Sequence, residues 1–163
     1  MNLTLKNIAL LAFLAGTGAC NSNNGQEQGV QNKASASTAS SVAMLPRSMA
    51  PQGAHLYFKE PKDGATVTSP VHIEFGLDGM DVVAAGTQAP MSGHHHVIID
   101  SDLPPFDMPI PADDHHVHFG DGRIATDLEL TPGNHSLQLL LGDHLHIPHQ
   151  PPVYSERITI TVE

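Results

Sequence analysis

Apolar and polar residues alternate along much of the chain after residue 54. In the segment 71–75, Val71, Ile73 and Phe75 are apolar and the two residues between them are polar. A period of two is typical of strands that bury one face. The pattern predicts about seven short strands, and the clearest segments are 56–58, 71–75, 95–99, 124–130, 135–141 and 158–162.

Most of the thirteen prolines and fourteen glycines separate these segments and leave little room for a long helix. The proline-rich stretch 103–114 is predicted to be a stiff extended loop, because proline fixes φ and lacks a backbone N–H. Short strands in one domain favour an all-β fold, an immunoglobulin-like antiparallel β-sandwich. The disulfide and tryptophan of antibody domains cannot form part of it, because the chain has one cysteine and no tryptophan.

The N-terminal twenty residues have the composition of a secretory signal. Lys6 provides a positive charge, the segment 8–14 is an apolar run too short to span a bilayer, and small residues precede Cys20. The arrangement resembles the lipobox of bacterial lipoproteins, although Thr17 stands where leucine is usual. We predict a lipoprotein signal peptide over 1–19 and lipidation of Cys20; the alternative is an ordinary secretory signal with an incidental cysteine.

Residues 20–53 are the predicted tether between that anchor and a folded domain over 54–163. Asn, Gln, Ser, Ala and Gly dominate the tether, and this composition buries too little apolar surface to offset the entropy cost of ordering. We therefore predict a disordered linker. Asn21, directly after the cysteine, resembles the outer-membrane address of Gram-negative lipoproteins, which implies a lipid-anchored protein of the cell envelope that faces the periplasm.

The formal net charge of −10, with histidines neutral, argues against binding to nucleic acid or to an anionic membrane surface. It favours cations as ligands. The only membrane contact predicted is the lipid anchor. The chain contains no nucleotide-binding, serine-hydrolase or metalloprotease motif, so the pattern favours binding without turnover.

Twelve histidines lie between residues 55 and 149, most of them in three groups at 94–96, 115–118 and 144–149. Imidazole is the commonest protein metal ligand, and clusters without cysteine suit copper or zinc. Residues i and i+2 of a strand share a face, so pairs at that spacing can contact one ion. The predicted ligands are His94, His96, His118, His146 and His149.

Three other histidines of these groups and one acidic residue are secondary candidates: His95, His116, His144 and Asp143. Alternation with Val97 and Ile99 also allows His95 to be a core residue, and Asp143 could orient an imidazole through its second nitrogen. The remaining histidines, such as His135 at the start of an apolar face, are predicted to be structural or surface residues.

Three stretches together resemble the bacterial secreted family DUF4399, whose function is unknown. They are the segments 93–100 (GHHHVIID), 118–122 (HFGDG) and 133–152, and the segment 155–158 also fits. The resemblance implies a compact domain whose pattern includes the positions His94–His96, His118, His135, Asp143, His146 and His149. His115, His116 and His144 lie outside that pattern.

Three functions are consistent with these features. The first is a histidine-rich β-sandwich that binds copper or zinc in metal handling. The second is a metal-dependent oxidoreductase or hydrolase with an open coordination position. The third is an envelope structural or ligand-binding domain whose histidines form a hydrogen-bonded network without metal.

Overall fold

Nine β-strands and no helix form the part of the chain that the computed structural model describes, residues 45–163. The strands are β1 (His55–Glu60), β2 (Thr66–Val67), β3 (Val71–Asp78), β4 (Asp81–Val82), β5 (Ser92–Ile99), β6 (His116–Phe119), β7 (Ala125–Leu128), β8 (Gly133–Gly142) and β9 (Ile158–Val162). The predicted all-β class is confirmed. Across the described range, no helical segment has the length and hydropathy to span a bilayer.

The strands form two sheets. One is antiparallel, in the order β1-β3-β7, and the other has the order β2-β9-β8-β5, with β4 and β6 both paired to the far edge of β5. The larger sheet is mixed, because β2 runs parallel to β9 and β4 runs parallel to β5. The predicted purely antiparallel pairing is therefore wrong for β2 and β4, and the immunoglobulin-like sandwich stays a prediction.

The main apolar core brings together residues of both sheets. The alternating residues of β3, Val71, Ile73 and Phe75, are at most 2 % exposed and contact those of β8, Leu137 and Leu139. Full burial of each such side chain stabilises the fold by about 1.5–3 kcal/mol relative to exposure. The period-two pattern of the sequence is therefore the signature of this core.

Strand β5 occupies the centre of the larger sheet and is buried along its whole length. On one face, His95, Val97 and Ile99 join the main core. On the other face, Ile98 forms a second, smaller apolar cluster with Leu140 and with residues of the proline-rich segment, among them Ile110. That segment contains no strand, and it covers the outer face of the sheet beside the remaining β5 residues, His94 and His96.

An N-terminal strap, residues 47–50, lies against the loop that follows β8. Arg47 donates to the backbone carbonyls of Pro148 and His149. Two backbone hydrogen bonds of 2.9 and 3.0 Å join the strap to Gln150. The strap falls inside the range predicted as a linker. The predicted signal peptide and most of that linker lie outside the described residues.

Candidate metal centre

Four imidazole rings meet on the outer face of the larger sheet. His94 and His96 project from β5, and His118 of β6 reaches them because it is the register partner of His96. His146 comes from the loop after β8. The ring centroids are 4.8 Å (His94–His96), 4.9 Å (His94–His118), 4.8 Å (His94–His146), 5.0 Å (His96–His118), 6.0 Å (His96–His146) and 4.7 Å (His118–His146) apart. We call these residues the four-histidine cluster.

Asp143 shapes the loop that carries His146. Its Oδ1 accepts backbone hydrogen bonds from Leu145 and Ile147, at 2.9 and 3.1 Å, and its Oδ2 accepts from the backbone N–H and hydroxyl of Ser48, at 3.2 and 2.7 Å. His146 donates its own N–H to the Asp143 carbonyl and has a φ of 63°. Few side chains adopt this left-handed conformation, and here it turns the chain so that the ring faces the other three.

Two glycines make room for the rings. A β-carbon at Gly120 would lie 2.4 Å from Cε1 of His118, and one at Gly142 would lie 2.8 Å from Cε1 of His96. Any larger residue would displace a ring from the cluster. Both glycines belong to the segments that resemble the family pattern, at positions adjacent in sequence to the histidines and Asp143.

The pKa values of His94, His96 and His118 are lowered, which favours the neutral form of these three rings. Burial, followed by repulsion from His146 and His118, lowers the pKa of His94 to about 4. Burial and the same kind of repulsion lower the pKa of His96 to about 2, and burial also lowers the pKa of His118. Neutral imidazole is the form that binds metal ions.

Three buried ring nitrogens of the cluster lack hydrogen-bond partners among the described residues. His94 is 1 % exposed, and neither of its ring nitrogens has a hydrogen-bond partner among residues 45–163; the same holds for Nδ1 of His96. A buried donor or acceptor left unpaired costs about 1–3 kcal/mol. A hydrogen-bonded network of side chains therefore does not account for this arrangement.

The spacing of the rings fits a bound ion. One nitrogen each of His94, His96 and His118 lies within 4.8 Å of the others, so these three could hold a metal ion. At a metal–nitrogen distance of about 2.0–2.1 Å, four ring centres arranged around one ion are about 5 Å apart. The observed centroid separations of 4.7–6.0 Å bracket that value.

Two predicted metal-site residues lie apart from the four rings. The Nε2 of His149 donates to the carbonyl of Ser92 at 3.0 Å, so this buried ring is directed to the start of β5. His144 is half-buried and precedes His146 by two residues in the same turn, and its ring is not one of the four that meet.

Two secondary candidates make other contacts. His95 points into the main core and packs on Phe75, with ring centroids 4.6 Å apart. His116 bonds through Nδ1 to Asp113 at 2.7 Å. His95 therefore lies in the core, as the alternative for this residue allowed. Metal binding by any of these residues stays a prediction.

His135 forms an ion pair at the far end of β8. Its Nδ1 lies 2.7 Å from Asp100 Oδ2, and its Nε2 donates to the Thr131 carbonyl at 2.8 Å. The hydrogen bond that His135 donates to Asp100 raises the pKa of His135 against the effect of burial. Sequence reasoning placed His135 among the structural residues, and its contacts agree with that role.

We expect Asp100→Asn to lower the pKa of His135. The variant should also lose the pH-dependent part of the free energy of unfolding that this ion pair contributes. When a histidine pKa is higher in the folded state than in the unfolded state, the histidine stabilises the fold. This stabilisation is fully present below the unfolded-state pKa of about 6.5 and is lost as pH rises through the folded-state pKa. Wild type should therefore exceed the variant in free energy of unfolding by more at pH 5.5 than at pH 8.5. Urea unfolding at both pH values and an NMR titration of His135 test this. An unchanged His135 midpoint in the variant contradicts it.

The chain matches the family model described as a domain of unknown function (DUF4399) over residues 73–163, which is more than half of its length. The match includes all of the four-histidine cluster and Asp143 but begins after the N-terminal strap. No curated protein and no solved structure was found to match the chain. The chain belongs to the DUF4399 family, as its motifs predicted.

Proposed function

We propose that this DUF4399 protein binds a transition-metal ion, copper or zinc, in the four-histidine cluster and serves metal handling without turnover. The observation that carries the proposal is His94, a buried imidazole whose two nitrogens have no partner among the described residues and which three other imidazoles surround. A metal ion at the centre of the cluster would satisfy the one nitrogen lone pair that each neutral ring offers.

The donor set favours borderline metals. Imidazole nitrogen suits Zn(II) and Cu(II), whereas Mg(II) and Ca(II) prefer oxygen ligands. Four neutral donors bring no charge, but the Asp143 carboxylate lies close enough to raise the pKa of His94 against the larger effect of burial. Together with the net charge of −10, this anionic surrounding favours a cation.

Isothermal titration of the metal-free protein with Zn(II) and Cu(II) tests the proposal. We expect one ion per chain and a loss of affinity of about a hundredfold or more in His118→Ala, since partners outside the coordination sphere are alone worth roughly ten- to a hundredfold. His118 is exposed, so the variant should fold. The matched control is His72→Ala, which removes an exposed histidine on the other sheet.

Gly120→Ala provides a second variant that keeps every histidine. Its β-carbon would displace the His118 ring, which is the end of an exposed side chain, so affinity should fall while stability changes little. Binding no tighter than about millimolar for both ions, or unchanged affinity in His118→Ala, would remove the metal proposal.

The cell-envelope location is a separate proposal that rests on the N-terminal sequence. We infer cleavage before Cys20 and lipidation of its thiol, which would anchor the protein in the outer membrane facing the periplasm. Mass spectrometry of the mature N-terminus should show a diacylated Cys20. An unmodified Cys20, or cleavage at another residue, would contradict this.

A metal-dependent enzyme is the second candidate, and one observation favours it. His118 is exposed and lines a groove of about 850 Å³ between the segment 112–118 and the end of β7. A small molecule could therefore approach the cluster. Turnover of a redox or hydrolytic substrate that requires the loaded metal, and that His118→Ala abolishes, would favour this candidate over metal handling.

A further inference from the structure

A second cavity, of about 540 Å³, lies beside the start of β5 on the side of the N-terminal strap. Its lining includes two methionines, one from the strap and one from the segment before β5, and two histidines from the loop after β8: Met49, Met91, His144 and His149. None of these residues belongs to the four-histidine cluster.

The two methionines are unusually accessible. Met49 is 67 % exposed and Met91 is 57 % exposed, although methionine is among the residue types most often fully buried. Met91 also has a φ of 48°. This left-handed conformation is costly for a long side chain, and such strain is concentrated at functional positions.

The residues that line the cavity also include a buried imidazole, His149. A carbonyl oxygen can only accept a hydrogen bond, so the contact with Ser92 places the proton of neutral His149 on Nε2. The lone pair is then on Nδ1. His149 is fully buried, and its Nδ1 has no hydrogen-bond partner among the described residues.

We propose that this cavity is a site for a soft monovalent metal ion, Cu(I), bound by the thioethers of Met49 and Met91 together with the imidazole of His149. Thioether sulfur is a soft ligand that selects Cu(I) and discriminates against Zn(II). The site is independent of the four-histidine cluster, which contains nitrogen donors alone. The protein would thus offer two sites of different ligand softness, on the two sides of the start of β5.

Ag(I), which shares the softness and charge of Cu(I) but does not change oxidation state, is the probe. The test uses the full chain with Cys20→Ser, so that no thiolate competes, and with ¹³C-labelled methionine methyl groups. We expect Ag(I) to shift the methyl resonances of Met49 and Met91. Met108 is the internal control, because it is 56 % exposed but lies in the proline-rich segment.

Substitution should separate the two sites. The double change Met49→Leu with Met91→Leu keeps side-chain volume and should lower the Ag(I) affinity by about tenfold or more while leaving the Zn(II) affinity unchanged. Met108→Leu should change neither affinity. Because both methionines of the site are exposed, the double variant should fold.

Equal shifts of Met108, or unchanged Ag(I) affinity in the double variant, would overturn the second site. Failure of the four-histidine cluster gives a different result: Zn(II) would not bind, while the Met49 and Met91 resonances would still respond to Ag(I). The two proposals therefore stand or fall separately.

Discussion

Acidification from pH 7 to pH 5 is expected to lower the free energy of unfolding of the metal-free protein by about 5 kcal/mol. Burial lowers the pKa of His94 and His95 to about 4 and that of His96 to about 2. The unfolded chain titrates these groups near 6.5, so between pH 6.5 and 4 it binds about three more protons than the folded chain. Stability is therefore present above pH 6.5 and is lost as pH falls, which urea unfolding at pH 7, 6 and 5 will measure.

His95→Leu removes one of the three histidines whose protonation in the unfolded chain makes the protein acid-sensitive. His95 packs on Phe75 in the main core and has no hydrogen-bond partner for either ring nitrogen in the described range. The variant should lose about a third less stability between pH 7 and pH 5. Its Zn(II) affinity should equal that of the wild type. If its stability falls with pH as steeply as that of the wild type, burial of His95 is not a source of the acid sensitivity.

Asp143→Ala is expected to destabilise the protein by about 3–5 kcal/mol, because it removes a buried, charged acceptor and leaves its donors unpaired. Asp143 is 1 % exposed and accepts four hydrogen bonds from the strap and the loop. These bonds hold its pKa below the ordinary value even though burial acts in the opposite direction. The loop that places His146 loses its support, so metal affinity should fall as well.

Thermal and urea unfolding at pH 7 measure the loss, and Asp102→Ala is the control. Asp102 pairs with Arg157 on the surface, and its side chain is 94 % exposed. Its removal should change the free energy of unfolding by at most about 0.5 kcal/mol. Comparable losses in the two variants would show that the hydrogen bonds of Asp143 do not stabilise the loop.

The strands that bury one face could be predicted from the sequence. The segments 71–75, 135–141 and 158–162 alternate because one side of each contacts the core, and they fall within β3, β8 and β9. The two-residue strands β2 and β4 are too short for a period to appear. Strand β6 was not predicted, because the segment 115–118 contains three histidines. Only Val117 and Phe119 mark an alternation of apolar residues there.

The histidine cluster could be predicted in part for a similar reason. The spacing of two residues places His94 and His96 on one face of β5 whatever the rest of the fold does. The same spacing pairs His144 with His146 only in an extended segment, but the chain turns at His146, which has a positive φ, and His149 contacts Ser92. Long-range register, which brings His118 opposite His96, has no local signal in the sequence.

The N-terminal strap also decides how the domain carries mechanical load. Residues 1–44 join the described part of the chain just before Arg47, so tension along the chain from that side acts on the strap before it acts on either sheet. The strap is held by four side-chain hydrogen bonds to the 143–149 loop and by two backbone bonds to Gln150. Because it takes the load before the sheets do, we expect it to yield first under force. Its release would remove the two Ser48 hydrogen bonds from Asp143, so pulling on the N-terminal side would loosen the loop that carries the fourth imidazole while the sheets stay intact.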